Sequence, residues 1–220
     1  MRLFDSSRIP QAKGYEDFRF PRGFSSHVLE IGAGAGWNAV TYARMNPSHC
    51  VVAVEHSRER FALLEGRATR SSPLEMASVG MGSLDEVVKA SGLTNLFPVH
   101  ADAESFVVHN VASESLDRVM LLYPNPYPKA SQANKRWHNM PFMSELLAKM
   151  KSGAVLQMAT NEDFYAAEFF ERAIDTWKLV VVSNERVTLE ADPDFRPRTH
   201  FEKKYYSRGE MLHLMEFRKV

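Results

Sequence analysis

Three glycines spaced two apart, Gly32, Gly34 and Gly36, follow directly on the apolar run His27-Val28-Leu29-Glu30-Ile31. A strand running into so bare a turn lets backbone approach a ligand closely at the start of a helix. The apolar spacing of Val40, Ala43 and Met45 predicts that helix, and Asn46-Pro47 ends it, because the residue before a proline leaves the α region. The alternation then repeats. Residues 50–54 are apolar and β-branched and predict a buried parallel strand. Residues 57–70 predict a helix through Phe61, Leu64 and Ala68. Residues 71–82 read as an inserted turn or loop, and 83–91 as a helix with a Ser83/Glu86 capping box. Further strands are expected over 96–100, 116–122 and 154–160, and helices over 139–150 and 163–177. Residues 178–183 and 211–217 read as a closing antiparallel pair joined by a polar loop. The expected architecture is α/β, a mostly parallel seven-stranded sheet with helices on both faces, over residues 27–220. Residues 1–26 mix Pro, Gly and charge without periodicity and read as an N-terminal arm or lid.

The bulk composition narrows the function. At 220 residues and 45% hydrophobic, the chain suits one globular domain. Lys+Arg and Asp+Glu both number 27, which argues against a protein whose only task is to coat nucleic acid, since phosphate contacts demand a basic surplus. One cysteine, Cys50, rules out an internal disulfide and a cysteine zinc site. The eight histidines show no metal spacing, and no metal is expected. No membrane-length apolar stretch or signal segment is evident, so a cytoplasmic protein is expected, as monomer or homodimer.

Three acids mark the tips of successive strands: Glu30 before the glycine turn, Glu55 after the second strand, and Asp102 after the third. Open α/β sheets bind ligands at this edge. A carboxylate beside the turn repels a pyrophosphate but suits the cationic amino acid end of S-adenosylmethionine. Glu55 is placed to accept from two ribose hydroxyls and Asp102 to meet an adenine amino group. His56, Ala103 and Tyr123 flank these positions and complete the expected cofactor contacts. Each acid alone has an ordinary explanation as a turn or capping residue, and their order carries the reading. The fourth strand ends in Tyr123-Pro124-Asn125-Pro126-Tyr127-Pro128-Lys129, a stiff loop that would hold Asn125, Tyr127 and Lys129 over a transferred methyl group.

On these residues the chain resembles the bacterial tRNA (guanine-N7)-methyltransferase family. The likeness runs through Leu29-Glu30-Ile31-Gly32 with Gly34 and Gly36, Ser115-Leu116-Asp117-Arg118, and the Pro loop with Lys129, Lys135 and Arg136. It continues through Ala159-Thr160-Asn161, Arg196-Pro197 and Thr199-His200-Phe201-Glu202. The resemblance implies a Rossmann-like class I methyltransferase using S-adenosyl-L-methionine and releasing S-adenosyl-L-homocysteine. It implies catalytic roles for Asn125, Lys129 and Glu202. It implies substrate contacts for Tyr127, Lys135, Arg136, Trp137, Asn161 and Thr199, with tRNA as acceptor.

Departures bear on the acceptor. The family pattern has Asp at Asn125 and Asn161, Trp at Tyr127, and Lys or Arg at His200. The arm is short, the basic run 129–136 is thinned, and the 71–82 insertion is absent from typical members. Guanine's Watson–Crick edge offers two adjacent donors that a carboxylate accepts well, whereas Asn offers one acceptor and one donor. A small nitrogen heterocycle therefore remains an alternative acceptor, and a non-catalytic S-adenosylmethionine-binding protein a second alternative. Asn125-Pro126-Tyr127 also resembles the Asn-Pro-Pro-Tyr loop of amino-methylating enzymes, with one proline displaced. Met140, Phe142, Met143, Leu146, Leu147 and Met150 lie at helical spacing and read as core, and His100 and His109 as structural.

Overall fold

The structure, a computed structural model, describes residues 3–69 and 93–220. The expected insertion at 71–82 and the helix at 83–91 lie outside them. Among the described residues, seven strands form one sheet: β1 (Ser26–Ile31), β2 (His49–Glu55), β3 (Leu96–His100), β4 (Leu116–Leu122), β5 (Met150–Thr160), β6 (Val180–Val187) and β7 (Leu212–Arg218). Their order is β3-β2-β1-β4-β5-β7-β6, and only β7 runs against the rest. The chain direction across the sheet reverses between β1 and β4, so the crevice opens above their C-terminal tips.

Side-chain alternation on the strands builds two cores. Val28 on β1 and Val51 and Ala53 on β2 face helices α1 (Trp37–Met45) and α2 (Arg58–Thr69) through Ala39, Val40, Ala43 and Leu64. Leu29, Ile31, Val52 and Val54 face the other way, against α3 (Ala103–Asn110), α4 (Phe142–Lys149) and α5 (Asp163–Asp175). The sheet is thus covered on both faces, which is why its strands read as apolar runs. Cys50 is buried there, and burial pushes its thiol up to about 12.

The residues before β1 close the second face. Tyr15 and Phe18 pack their rings on Phe106 at 6.1 and 5.3 Å, and Phe4 packs on Phe142 at 5.6 Å. The Tyr15 hydroxyl accepts from the His100 backbone N–H at 2.8 Å, and Asn110 donates to the Tyr15 carbonyl.

Several elements differ from the sequence expectation. Helix α3 was not foreseen; Asp102 caps it by accepting from the Ser105 backbone N–H at 3.0 Å. The helix expected from 139 begins at Phe142, since Pro141 has no N–H to continue a turn; a short 3-10 turn, Trp137–Asn139, precedes it. Strand β5 starts at Met150 rather than 154, with Gly153 at φ +82 where the β4–β5 register shifts. The polar loop between β6 and β7 contains helix α6 (His200–Tyr206).

Family-motif residues at the bases of the strands serve the scaffold. Asp117 accepts from the His27 backbone N–H at 2.8 Å and pairs with Lys151 at 2.7 Å. Arg118 pairs with Glu216 at 2.7 Å, tying β4 to β7.

Candidate active site

The glycine turn spends its own donors internally. Gly32 and Ala33 donate to the Val54 carbonyl at 2.9 and 3.0 Å, Gly34 to Glu55 Oε2 at 2.8 Å, and Gly36 to the Ala33 carbonyl at 2.9 Å. A phosphate-binding turn keeps such N–H groups for the ligand. This one leaves none of those four for an anion and sets two carboxylates beside itself.

Glu30 is 3% exposed on β1. It accepts from Asn38 Nδ2 at 3.1 Å, and Asn38 also touches Met120 Sδ at 3.5 Å. Burial raises Glu30 to about 7; the Asn38 hydrogen bond and the Arg198 charge oppose the rise, and the Glu202 charge adds to it. Glu55 is 2% exposed, and its other oxygen accepts from the Ser57 backbone N–H at 2.7 Å. His56 is largely exposed, with Nδ1 3.3 Å from Glu55 Oε1. Asp102 is exposed and Ala103 half-buried at the head of α3.

Helix α6 closes the far side of the crevice. Thr199 caps it, accepting from the Glu202 N–H at 2.9 Å. Glu202 is fully buried and turns back to accept from the Arg198 N–H at 2.5 Å and from Arg198 Nη2 at 3.0 Å. Phe201 and Tyr205 lie against the Tyr123 ring at 6.3 and 5.9 Å. Tyr123 sits at φ +52, and its hydroxyl is buried without a hydrogen-bond partner, as is Arg198 Nε. Burial raises the Tyr123 phenol strongly, Glu202 adds to the rise, and Arg198 opposes it. Glu30, Tyr123, Arg198 and Glu202 therefore share one low-dielectric neighbourhood.

The Pro loop is held from behind. Arg136, 5% exposed, donates to the Tyr127 carbonyl from Nε at 3.2 Å and Nη2 at 3.0 Å, and to the Pro128 carbonyl at 3.4 Å. Its Nη1 meets both Glu168 oxygens at 2.7 and 2.6 Å, and its guanidinium covers the Phe164 ring at 4.9 Å. Asn125 Oδ1 accepts from the Tyr127 N–H at 3.2 Å, and Tyr127 takes φ +45. Asn125, Lys129 and Lys135 are exposed, and Lys135 Nζ lies 5.8 Å from the centre of the Tyr127 ring. Trp137 packs on Phe142 at 5.6 Å, half-buried in the core. Asn161, at the tip of β5, donates from Nδ2 to Glu210 Oε2 at 2.9 Å.

The structure thus gathers Glu30, Gly32, Gly34, Glu55, Asp102, Tyr123, Asn125, Asn161, Thr199 and Glu202 along the C-terminal edge of the sheet. It turns Arg136 inward. The sequence reading passed over Asn38, Arg198 and Glu210. The Thr199-x-x-Glu202 capping-box spacing was the available signal for α6, while Arg198 and Glu210 carried none. A cleft of about 490 Å³ is lined by Arg136, Glu168, Glu171 and Arg172, and none of Glu30, Glu55, Asp102 or Asn125 lines it. Among the described residues no group of three or more His, Cys, Asp or Glu could hold a metal, and no helix is long and apolar enough to cross a membrane.

The residues fit S-adenosylmethionine better than a dinucleotide. Buried Glu30 suits an ammonium, and the orphaned Tyr123 hydroxyl and Arg198 Nε are donors suited to the carboxylate of the same amino acid end. Comparison with known proteins agrees. Residues 25–215 match a family described as "Putative methyltransferase". A tRNA (guanine-N(7)-)-methyltransferase of Burkholderia vietnamiensis is 30% identical over 219 residues, 96% of this chain and 74% of that protein. One from Nitrosomonas eutropha is 29% identical over 193 residues, 88% of this chain and 76% of that protein. Among solved structures, the 16S rRNA methyltransferase KamB overlays with a TM-score of 0.58 at 17% identity, covering 100% of both chains. A Catenulisporales acidiphilia 16S rRNA adenine-N1 methyltransferase variant, solved with cosubstrate SAM, gives 0.52 at 15% identity, covering 90% of this chain and 87% of that one. Likeness at those identities speaks for the fold, and the closer relatives speak for the family. The chain belongs to the tRNA (guanine-N7)-methyltransferase family and is an S-adenosylmethionine-dependent methyltransferase of class I fold.

Proposed function

We propose that this enzyme methylates N7 of a guanine in tRNA, in the cytoplasm. The observation that carries the reading is the pinned Pro loop at the tip of β4, beside the acids of β1 and β2, with Lys129 and Lys135 turned to solvent where a phosphate backbone can reach them. Bound in the crevice, S-adenosylmethionine supplies an electrophilic methyl group that passes in line to a nitrogen lone pair, leaving S-adenosylhomocysteine. Guanine N7 carries such a lone pair with no proton to remove, so the protein's work is positioning and charge placement. Glu30 holds the ammonium, Glu55 the ribose hydroxyls, and Asp102 with Ala103 the adenine. Asn125, Asn161 and Tyr127 hold the base, and buried Glu202 offsets the positive charge the ring acquires. Arg136, Trp137 and Thr199 act through the loop and helix they fix. The direct test is labelled cofactor offered to tRNA and to a small-molecule extract in parallel, followed by nucleoside digestion. Label recovered as N7-methylguanosine is expected. Label confined to a small molecule overturns the reading and favours a small nitrogen heterocycle, which the amides of Asn125 and Asn161 also suit.

Two expectations attach to the acids. Glu55→Ala should weaken cofactor binding by roughly 1–3 kcal/mol in calorimetry, since a charge-assisted contact is lost. Unchanged affinity would remove Glu55 from the pocket. For Glu30, the carboxyl is protonated below about 7 in the free enzyme, and an ammonium favours the ionised form. Affinity should therefore rise with pH between about 5.5 and 7, with up to one proton released per cofactor bound. Titrations at pH 6 in two buffers of different ionisation enthalpy would show it. The dependence should vanish in Glu30→Gln.

A further inference from the structure

We infer that Glu210 reads the acceptor base: its carboxylate, together with the Asn161 amide that it orients, accepts from the two adjacent N–H donors of guanine. This rests on the guanine reading above and names the group within that site that distinguishes guanine from a base without an exocyclic amine.

Two side-chain amides at this edge have their orientation fixed by their partners. Asn161 gives a hydrogen bond to Glu210 Oε2 at 2.9 Å. An ionised carboxylate can only accept, so the Asn161 NH2 must point to Glu210 and its carbonyl oxygen must point away. Asn125 receives a hydrogen bond from the Tyr127 backbone N–H at 3.2 Å. A backbone N–H can only donate, so the Asn125 oxygen is turned inward and its NH2 outward. Neither orientation rests on the choice of amide flip; each follows from the partner's chemistry.

Asn125 and Asn161 follow β4 and β5, neighbouring parallel strands paired through Leu122 and Ala159 at this end. Glu210 comes from the far side of the same edge. It lies just before β7, whose His213 pairs with Thr160 beside Asn161. Its backbone is fixed: the Glu210 N–H donates to the Tyr205 carbonyl at 3.1 Å, and Gly209 at φ +72 turns the chain out of α6. Its side chain is half-exposed, and Oε1 lies 3.8 Å from Arg208 Nη1, beyond hydrogen-bond length. One carboxylate oxygen is thus occupied in orienting Asn161, and the other keeps acceptor capacity for a ligand.

The three groups display one donor, the Asn125 amide, and two acceptors, the Asn161 carbonyl and the Glu210 carboxylate. Guanine's Watson–Crick edge shows the complement: O6 as acceptor, then N1–H and the exocyclic amine as donors. The negative charge that Asn125 and Asn161 do not supply enters one hydrogen bond further out, from Glu210. The same charge offsets the positive charge of the methylated ring.

The test compares tRNA transcripts carrying guanosine or inosine at the methylated position, because inosine lacks only the exocyclic amine. Wild-type enzyme should prefer guanosine by roughly tenfold or more in kcat/KM, as expected when a charged acceptor would otherwise be left unpaired. In Glu210→Gln the preference should collapse to within about threefold, through loss on guanosine, while cofactor affinity is unchanged. Glu210→Ala should repeat the collapse. Equal losses on both transcripts would make Glu210 a structural residue and overturn the assignment. An undiminished preference would overturn it too, and in either case guanine methylation by the wild type would stand. Wild-type failure on tRNA guanine would bring down the acceptor reading and this assignment together.

Discussion

Replacing Arg136 by alanine is expected to lower kcat/KM by roughly a hundredfold while leaving cofactor affinity nearly unchanged. The side chain joins three things: the carbonyls of Tyr127 and Pro128, the Glu168 carboxylate on α5, and the Phe164 ring. Three prolines stiffen the loop but leave it few backbone donors of its own, so its position over the strand tips depends on an outside clamp. Misplacing a positioning loop by about an ångström costs on the order of a hundredfold in rate. The stability cost should be smaller, about 2 kcal/mol, below the 3–5 kcal/mol typical of breaking a buried pair, because Glu168 is 41% exposed and is rehydrated when its partner is lost. Arg136→Lys should not rescue, since one ammonium cannot serve two carbonyls and a bidentate carboxylate together. Steady-state kinetics with tRNA and a urea melt decide the matter. Full activity in the lysine variant would show that the loop holds its place unaided.

The largest loss of stability is expected at Gly36. Its φ of +82 is costly for any residue with a side chain, and an added Cβ would lie 2.4 Å from Leu64 Cδ1 and 3.2 Å from Leu64 Cα. The methyl end of Leu64 can swing aside, but its backbone in α2 cannot. Gly36→Val should therefore lose roughly 3–4 kcal/mol, the sum of left-handed strain and overpacking. Gly32 provides the comparison. It has φ +72 but nothing within 4 Å of an added Cβ, so Gly32→Ala should lose only the strain, about 1–2 kcal/mol. Urea denaturation of the two variants separates the contributions. Equal losses would mean that the contact between the turn and α2 contributes nothing.

The sequence disclosed most where its pattern was local. Residues 96–100 and 116–122 are strands with the expected bounds, and the glycine turn with Glu30 and Glu55 stands at the switch of the sheet. It disclosed least where partners are distant. Arg136, in a basic run beside Lys135, has the look of a phosphate contact until Glu168, thirty-two residues on, is seen to bind it. Glu210 sits in an unremarkable polar stretch, and only the antiparallel return of β7 carries it to Asn161. Strand β6 extends through Ser183 and Glu185 because an edge strand tolerates polar side chains on both faces, which hides it from a search for apolar runs. In the arm, rings at Phe4, Tyr15 and Phe18 follow no helical or strand period, yet all three find Phe106 or Phe142.

Strand β7, near the C-terminus of the chain, lies between β5 and β6 rather than at the sheet's margin. Until Leu212–Arg218 is in place, a slot stands open between β5, which already pairs with β4, and β6, which has no other strand to pair with among the described residues. Docking that strand also draws α6 and Glu210 onto the edge. A chain lacking Leu212–Arg218 would leave β5 and β6 unjoined, so the sheet holds together on that side only through this one strand.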